Sequence, residues 1–178
     1  MTTNDILSLE QLEFFPYLNE EGSLREDWQG KIGVYAIFDE DKTLQYIGYS
    51  RDIYLSLKQH LIRQMSSCYW LKLQIVTRPS RTLLEEIRQA WIGENKSIPL
   101  GNIADKSPWT EPIDAKVLMS ASEKEEYLSA DELGQIKLLK KVARALETEI
   151  QTNLKNRGIT MDLRFNPKLK EEGLLDLK

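Results

Sequence analysis

The stretch of sequence that decides the fold runs from Gly33 to Gly48 and reads GVYAIF, DEDKT and LQYIG. Its first and last parts are rich in residues that favour β-strands, and charged or polar residues separate them. Two such runs joined by a short polar turn are typical of an antiparallel hairpin. The other elements of the fold are predicted outward from this hairpin.

Two helices and a third strand are predicted on the C-terminal side of the hairpin. Apolar residues recur at helical spacing over about residues 52–64, and the run 68–77 is rich in strand formers. A second amphipathic stretch begins after Pro79 and ends before Pro99. The order β-β-α-β-α predicts an α+β fold in which helices flank a small three-stranded antiparallel sheet.

The remaining chain extends this sheet domain on both sides. The predicted parts are an acidic N-terminal extension (1–30), the sheet domain (31–103), a linker (104–121) and a C-terminal helical region with a tail (122–178). An apolar stripe from Leu133 to Leu154 predicts one long helix over about 130–157. Such a helix is longer than a small sheet can cover, so we expect part of its stripe to contact the aromatic segment 14–18 or a second copy of the chain.

The charge of the chain is unevenly distributed. The 178 residues include 24 Lys and Arg against 28 Asp and Glu, a net charge of −4, which argues against a protein that coats nucleic acid by global charge. Residues 31–103 are the only basic part, with 10 basic and 7 acidic side chains and a net charge of +3. A nucleic-acid partner is therefore predicted at the sheet domain, and a protein partner or self-association at the long helix.

Single residues of two types limit the chemistry. Cys68 is the one cysteine and His60 the one histidine, which excludes an intramolecular disulfide, a Cys-based zinc site and any site with two His ligands. The N-terminus shows no secretory pattern, and no stretch approaches the roughly 20 apolar residues that span a bilayer. We expect a soluble, cytoplasmic protein without membrane insertion.

The two ends of the hairpin carry a family resemblance. Gly33-Val34-Tyr35 and Tyr46-Ile47-Gly48 resemble the motif pair of the GIY-YIG nuclease family, and the flanks are similar to a cyanobacterial and plastid branch of that family. The resemblance covers about residues 31–103. It implies cleavage of a phosphodiester with one divalent metal ion, Mg²⁺ or Mn²⁺, assisted by two tyrosines, an arginine on the first helix and a glutamate on the second.

The resemblance assigns part of that site to residues present here. It places the two tyrosines at Tyr35 and Tyr46, a helix histidine at His60 and the asparagine that follows the second helix at Asn102. The tyrosines and the histidine are therefore the candidate catalytic residues, in vestigial form.

The resemblance departs at the two charged positions. Ser56 stands where the arginine is expected and Arg88 where the metal-binding glutamate is expected. Arg88 would place a cation where the metal ion belongs, so we expect no bound metal and no cofactor. Glu85, one helical turn earlier, is the only candidate ligand.

The predicted function is a GIY-YIG-fold protein that has lost nuclease activity and acts as a binding or scaffold module for nucleic acid or protein. The candidate binding residues are Arg51, Lys58, Arg63, Arg88 and Asn102. One alternative is an active metal-dependent endonuclease with a rearranged site at Glu85, and another is a protein-interaction module in a photosynthetic cell.

Each candidate also has a purely structural interpretation. The tyrosines fit half-buried strand aromatics, and His60 fits a solvated or capping residue. Glu85 and Arg88 fit a surface ion pair, and the basic residues fit a solvated surface.

Overall fold

The computed structural model describes residues 6–103 and 107–178, and the chain divides into two compact units, Met1–Trp109 and Thr110–Lys178. The first unit contains β1 (Phe15–Pro16), β2 (Gly33–Phe38), β3 (Leu44–Ser50), α1 (Ile53–Arg63), β4 (Trp70–Ile75) and α2 (Arg81–Glu94). Short 3₁₀ helices occupy Glu26–Trp28, Met65–Ser67 and Leu100–Asn102, and α3 (Ser107–Thr110) follows. The class is α+β, as predicted.

The sheet has four antiparallel strands in the order β1-β4-β2-β3. Every residue of β2 is buried, because this strand pairs with a neighbour on each side and is covered on both faces. The predicted three strands are present, but the predicted count is wrong. The fourth strand comes from the N-terminal segment, where Phe15 pairs with Leu71 and Pro16 with Trp70. A two-residue strand has no readable alternation, and proline is tolerated at an edge because it lacks an N–H to donate.

The two helices lie on opposite faces of the sheet. On one face, Ile87 and Trp91 of α2 pack with Val34, Ala36 and Ile47 in the main hydrophobic core. The other face, which carries Tyr35 and Tyr46, receives α1. Both helices begin at a side-chain cap, since Asp52 accepts from Leu55 N and Ser80 accepts from Leu83 N.

The N-terminal segment is held on the first unit by the end of α2. The Glu94 carboxylate accepts hydrogen bonds from Ser8 Oγ at 2.7 Å, Leu9 N at 2.8 Å and Glu10 N at 2.7 Å. Trp91 Nε1 donates to Leu7 O at 2.9 Å. The segment predicted as an extension is therefore part of the sheet domain.

Aromatic residues complete this attachment. The ring of Phe14 lies 4.9 Å from Phe38 and 6.4 Å from Trp70, centroid to centroid. Lys72 is buried, and its ammonium donates to Leu9 O at 2.9 Å while lying 4.2 Å from the Phe14 ring centroid. Lys72 is therefore a structural lysine rather than part of a cationic surface.

The second unit is built on one long helix. Its elements are β5 (Ile113–Asp114), a 3₁₀ helix (Ala115–Leu118), α4 (Ala121–Ser129), α5 (Glu132–Asn156), α6 (Pro167–Lys170) and β6 (Leu174–Leu175). The 25-residue α5 confirms the predicted long helix. Residues 113–118, which composition places in a linker, form regular structure because β5 pairs with β6 of the tail.

Part of the apolar stripe of α5 is buried, whereas Leu133 at its start is exposed. Its buried residues are Leu138, Leu139, Val142, Ala143 and Leu154. The helix contacts β6 and the 3₁₀ helix Ala115–Leu118, and Gly173, at φ 73°, leaves room for Leu139. The aromatic residues of segment 14–18 are used on the sheet of the first unit, where Phe14 packs on Phe38 and Phe15 pairs with Leu71. The expected contact of the stripe with a second copy of the chain stays a prediction.

Within residues 6–103 and 107–178, no helix combines the length and the apolar character that crossing a bilayer requires.

The Glu94 contacts predict a selective loss of stability. Glu94→Gln removes the charge that strengthens three hydrogen bonds, so we expect the free energy of unfolding to fall by about 1–2 kcal/mol, a range reduced for the exposure of this side chain. Urea denaturation at pH 7 measures it. The matched control is Glu86→Gln on the exposed side of the same helix, for which we expect a change within about 0.5 kcal/mol. Equal effects of the two variants would contradict the assigned role of Glu94.

Candidate functional site

Tyr35 and Tyr46 lie side by side on one face of the sheet. Tyr35 pairs with Gly48 across the β2–β3 ladder, and Tyr46 pairs with Ile37, so both tyrosines point to the α1 face. Their ring centroids are 6.3 Å apart. Both rings are buried, whereas the structural interpretation of the sequence expected half-buried rings.

Gly48 makes the close approach of these tyrosines possible. A Cβ at this position would lie 2.6 Å from Tyr46 Cε1 and 2.9 Å from the Tyr35 hydroxyl. Any side chain at residue 48 would therefore displace one ring. The glycine has a local steric role that needs no bound substrate to explain it.

His60 joins the tyrosines from α1. Its Nε2 shares a hydrogen bond with the Tyr35 hydroxyl at 2.7 Å, and its ring centroid lies 4.9 Å from that of Tyr46. The residue is 4% exposed, so the interpretation as a solvated or capping residue is wrong. Burial, reinforced by the charge of Arg63, lowers the pKa of His60 to about 3. His60 is neutral at pH 7.

Both tyrosines are also neutral. Burial raises the pKa of Tyr35 well above its ordinary value, and the neighbouring Tyr46 adds to the shift. Burial raises the pKa of Tyr46 too, opposed by the positive charges of Arg88 and Arg63. The cluster is therefore an uncharged hydrogen-bonded core at physiological pH, since each group holds the protonation state that burial favours.

Trp109 closes this cluster and is the residue that sequence reasoning missed. Its ring stacks on Tyr46 at 5.0 Å with planes 5° apart, and it lies 5.6 Å from the His60 ring. Arg63 Nη1 donates to the Trp109 carbonyl at 2.9 Å. At Gly101 a Cβ would lie 2.7 Å from Trp109 Nε1, so this glycine admits the indole. The only sequence signal is an apolar aromatic residue beside Pro108 in a polar segment.

Two further candidates are committed to backbone or ion-pair contacts. Asn102 accepts from Ile47 N at 2.8 Å and donates to Ile47 O at 2.7 Å, so its amide completes the open edge of β3. Arg88 pairs with Glu85 at 2.6 Å and lies 5.6 Å from the Tyr49 ring centroid. The ion-pair interpretation of residues 85 and 88 is confirmed.

The contacts of Glu85 bear on metal binding. Hydrogen bonds from Arg88, then from Gln89, lower the pKa of this carboxyl group. The described residues contain no group of three or more His, Cys, Asp or Glu side chains arranged to hold a metal ion. Glu85 therefore already has a cationic partner, Arg88.

Among the remaining candidates, Ser56 and Lys58 are half-buried and Arg51 is exposed. The Ser56 hydroxyl donates to Ser50 Oγ at 2.6 Å, in the position where the resemblance expects an arginine. The Lys58 ammonium lies 4.8 Å from the Tyr54 ring centroid. Arg51 is exposed just before α1. The structure thus brings Tyr35, Tyr46 and His60 together and leaves Arg51 and Lys58 outside that cluster.

Comparison with known proteins gives one partial similarity. No family model matches the chain. A 101-residue match, 32% identical, links it to a protein of Arabidopsis thaliana named bifunctional monothiol glutaredoxin-S16, chloroplastic. The match covers 54% of this chain and 33% of that relative, so the chain spans about a third of the relative's length.

These findings contradict the nuclease resemblance drawn from the sequence. The similarity is to a protein named as a glutaredoxin, and no nuclease-family model matches. The predictions that depend on this resemblance are therefore wrong. They are the function as a GIY-YIG scaffold, the alternative of an active endonuclease and the description as a nuclease-like DNA-binding pseudoenzyme. The motif misled the family assignment because its residues have a packing role. Gly48 leaves room for the two neighbouring tyrosines of the hairpin, whatever the function of the protein.

The pKa of His60 predicts a pH dependence of stability. The unfolded chain takes up a proton below about pH 6.5 and the folded chain does not until about pH 3, so the free energy of unfolding should fall as the pH falls between these values. We expect a slope of about 1.4 kcal/mol per pH unit between pH 6 and 5 from this residue. Urea denaturation of wild type and His60→Gln measures it, and identical slopes in the two proteins would refute it.

The space left by Gly48 predicts a steric defect. Gly48→Ala should lower the free energy of unfolding by about 1–3 kcal/mol, because the added methyl group overlaps Tyr46 and the Tyr35 hydroxyl. Gly93→Ala is the control, since this helical glycine has no atom within 4 Å of an added Cβ and should gain about 0.5–1 kcal/mol. Thermal unfolding in which Gly48→Ala matched wild type would remove the steric argument.

Proposed function

We propose that this chain supplies the non-thiol part of a thiol-redox protein: a binding module that works beside a glutaredoxin activity and does not exchange disulfides itself. The relative is bifunctional by name, and the match covers only a third of it. A chain can share that third without sharing the thiol chemistry. The accessibility of the one cysteine decides whether this chain carries the thiol chemistry or lacks it.

Cys68 is the observation that carries the proposal. It is the only thiol of the chain and is 0% exposed. Its Sγ donates to His60 O at 3.7 Å, inside the packing between α1 and β4. Disulfide exchange requires a thiolate that an incoming disulfide can reach, and burial in apolar surroundings disfavours the thiolate as well. Cys68 is thus placed to pack rather than to react.

The aromatic cluster supports a role in binding or architecture rather than catalysis. Tyr35 and His60 are hydrogen-bonded to each other, and Trp109 covers Tyr46. All of these side chains are buried, and each packs against another member of the cluster. The candidate catalytic roles of Tyr35, Tyr46 and His60 find no support in this arrangement.

A protein is the partner that the surface favours. In the second unit, Val117, Leu118, Leu128 and Leu133 are each more than 60% exposed. Exposed apolar side chains mark an interaction surface where they form a contiguous patch, and we propose that these four side chains contribute to one. The proposed partner is the glutaredoxin part of the same redox system.

The predicted nucleic-acid partner has weaker support. Three of its five candidate residues, Arg63, Arg88 and Asn102, are used inside the protein. Arg51 and Lys58 alone give few phosphate contacts, and binding of this kind would fall steeply with salt. The cytoplasmic location also stays a prediction, since the relative is chloroplastic by name.

Thiol accessibility tests the proposal. We expect the folded protein to leave a thiol reagent such as 5,5′-dithiobis(2-nitrobenzoate) unreacted over minutes, and one equivalent to react after unfolding in guanidinium. The reason is that only the thiolate reacts and Cys68 is enclosed. A disulfide-reduction assay with glutathione should show no turnover by this chain, and Cys68→Ser should behave as wild type.

Two outcomes would overturn the proposal. Rapid labelling of folded Cys68 together with turnover lost in Cys68→Ser would make the chain itself the thiol catalyst. Failure to bind a monothiol glutaredoxin in calorimetry, with wild type and Leu128→Ser equally inert, would remove the proposed partner. The binding assay uses the full chain, and Leu128→Ser changes a side chain that is 81% exposed.

A further inference from the structure

A cavity at one end of the sheet, separate from the aromatic cluster, has the composition of a binding site. It is open to solvent on one side and has a volume of about 540 Å³ between the end of β3 and the start of α2. Its walls include Arg51, Arg81, Ser80, Tyr49, Ile32 and Leu84. This volume lies within the roughly 300–1,000 Å³ range of small-molecule sites. We refer to it as the Arg51–Arg81 cavity.

The charge of the cavity is unbalanced. Two guanidinium groups line it, and no acidic residue does. Neither Arg51 nor Arg81 forms an ion pair or hydrogen bond within the described part of the chain, whereas Arg25 and Arg88 each pair with a carboxylate. Like charges that share a cavity repel each other, so an anion placed between them would be stabilised by both.

The other walls define the rest of a ligand. Ile32 and Leu84 offer apolar surface, and Tyr49 offers an aromatic ring. Ser80 Oγ already accepts from Leu83 N, which leaves its proton to donate to an oxygen of the ligand. The Ser50 hydroxyl, by contrast, donates to Asp52 O at 2.8 Å. One donor, two cations and an apolar wall therefore face the same space.

We propose that the Arg51–Arg81 cavity binds a small phosphate monoester that carries a flat apolar group. A monoester has about 1.5–2 negative charges at neutral pH, which matches two guanidinium groups better than a carboxylate does. The apolar group would lie on Ile32, Leu84 and Tyr49. This inference is independent of the redox setting proposed above, because Cys68 does not line the cavity.

The test uses three probes on the full chain. Phenyl phosphate carries both ligand features, inorganic phosphate only the charge and phenol only the ring. In ¹H–¹⁵N NMR titrations we expect phenyl phosphate to bind about tenfold more tightly than either single-feature probe, because the two kinds of contact add. Amide shifts should centre on residues 49–51 and 80–84. Equal affinities for phenyl phosphate and inorganic phosphate, or shifts centred elsewhere, would overturn the proposal.

Matched variants test the arginines. Arg51→Gln and Arg81→Gln should each weaken phenyl phosphate binding by about fivefold or more, since each removes a charged donor to the phosphate. Arg78→Gln is the control, because this exposed arginine lies just before α2 but does not line the cavity. An equal loss in all three variants would show a diffuse charge effect and overturn the site.

A further titration distinguishes a free small phosphate ester from the same group carried on a protein. A phosphotyrosyl peptide presents the phenyl phosphate group on a protein. Binding of the peptide no tighter than that of phenyl phosphate supports a free small ligand. Peptide binding that is about tenfold tighter would assign the cavity to a protein partner and overturn the small-ligand proposal.

Discussion

The close contact of Tyr35 and Tyr46 across the central hairpin is the constraint on which the first unit depends. It requires a residue without a side chain at Gly48, because a Cβ there would lie within 3 Å of both tyrosines. Once the rings are in place, His60 must approach from α1 and Trp109 must cover Tyr46 to exclude water. The packing of one hairpin thus sets the position of a helix and of a segment that follows α2.

The same constraint explains why the cluster is uncharged. A buried charge without a partner is costly, so His60 stays neutral and both tyrosines keep their protons. The arginines near the cluster donate outward from it, Arg63 to the Trp109 carbonyl and Arg88 to Glu85. Arg51 and Arg81, which form no ion pair with the described residues, lie instead at the cavity between the end of β3 and the start of α2. The two arginines that could bind an anion are therefore separate from the buried polar groups of Tyr35, Tyr46 and His60.

Elements with a strong local period were predictable from the sequence. The hairpin, α1, α2 and the 25-residue α5 follow their apolar spacing and their caps. The strand Phe15–Pro16 was not predictable, because its two residues have no period and its pairing partners lie 56 and 54 residues away. Trp109 shows the same limit, since it is positioned by Arg63 and by the absence of a side chain at Gly101. The family assignment failed for a related reason: a three-residue motif records local packing, and packing of this kind is not specific to one chemistry.

The attachment of the N-terminal segment to Glu94 has a consequence for synthesis. These hydrogen bonds join residues 84 to 86 positions apart, so the segment made first receives its partner only when α2 is nearly finished. At about 5–20 residues per second, residues 8–16 wait several seconds on the growing chain with Phe14 and Phe15 uncovered. Contacts of long sequence separation also slow the final step of folding. The acidic residues around this aromatic segment, which repel like segments on neighbouring nascent chains, are well placed to keep it from associating during that interval.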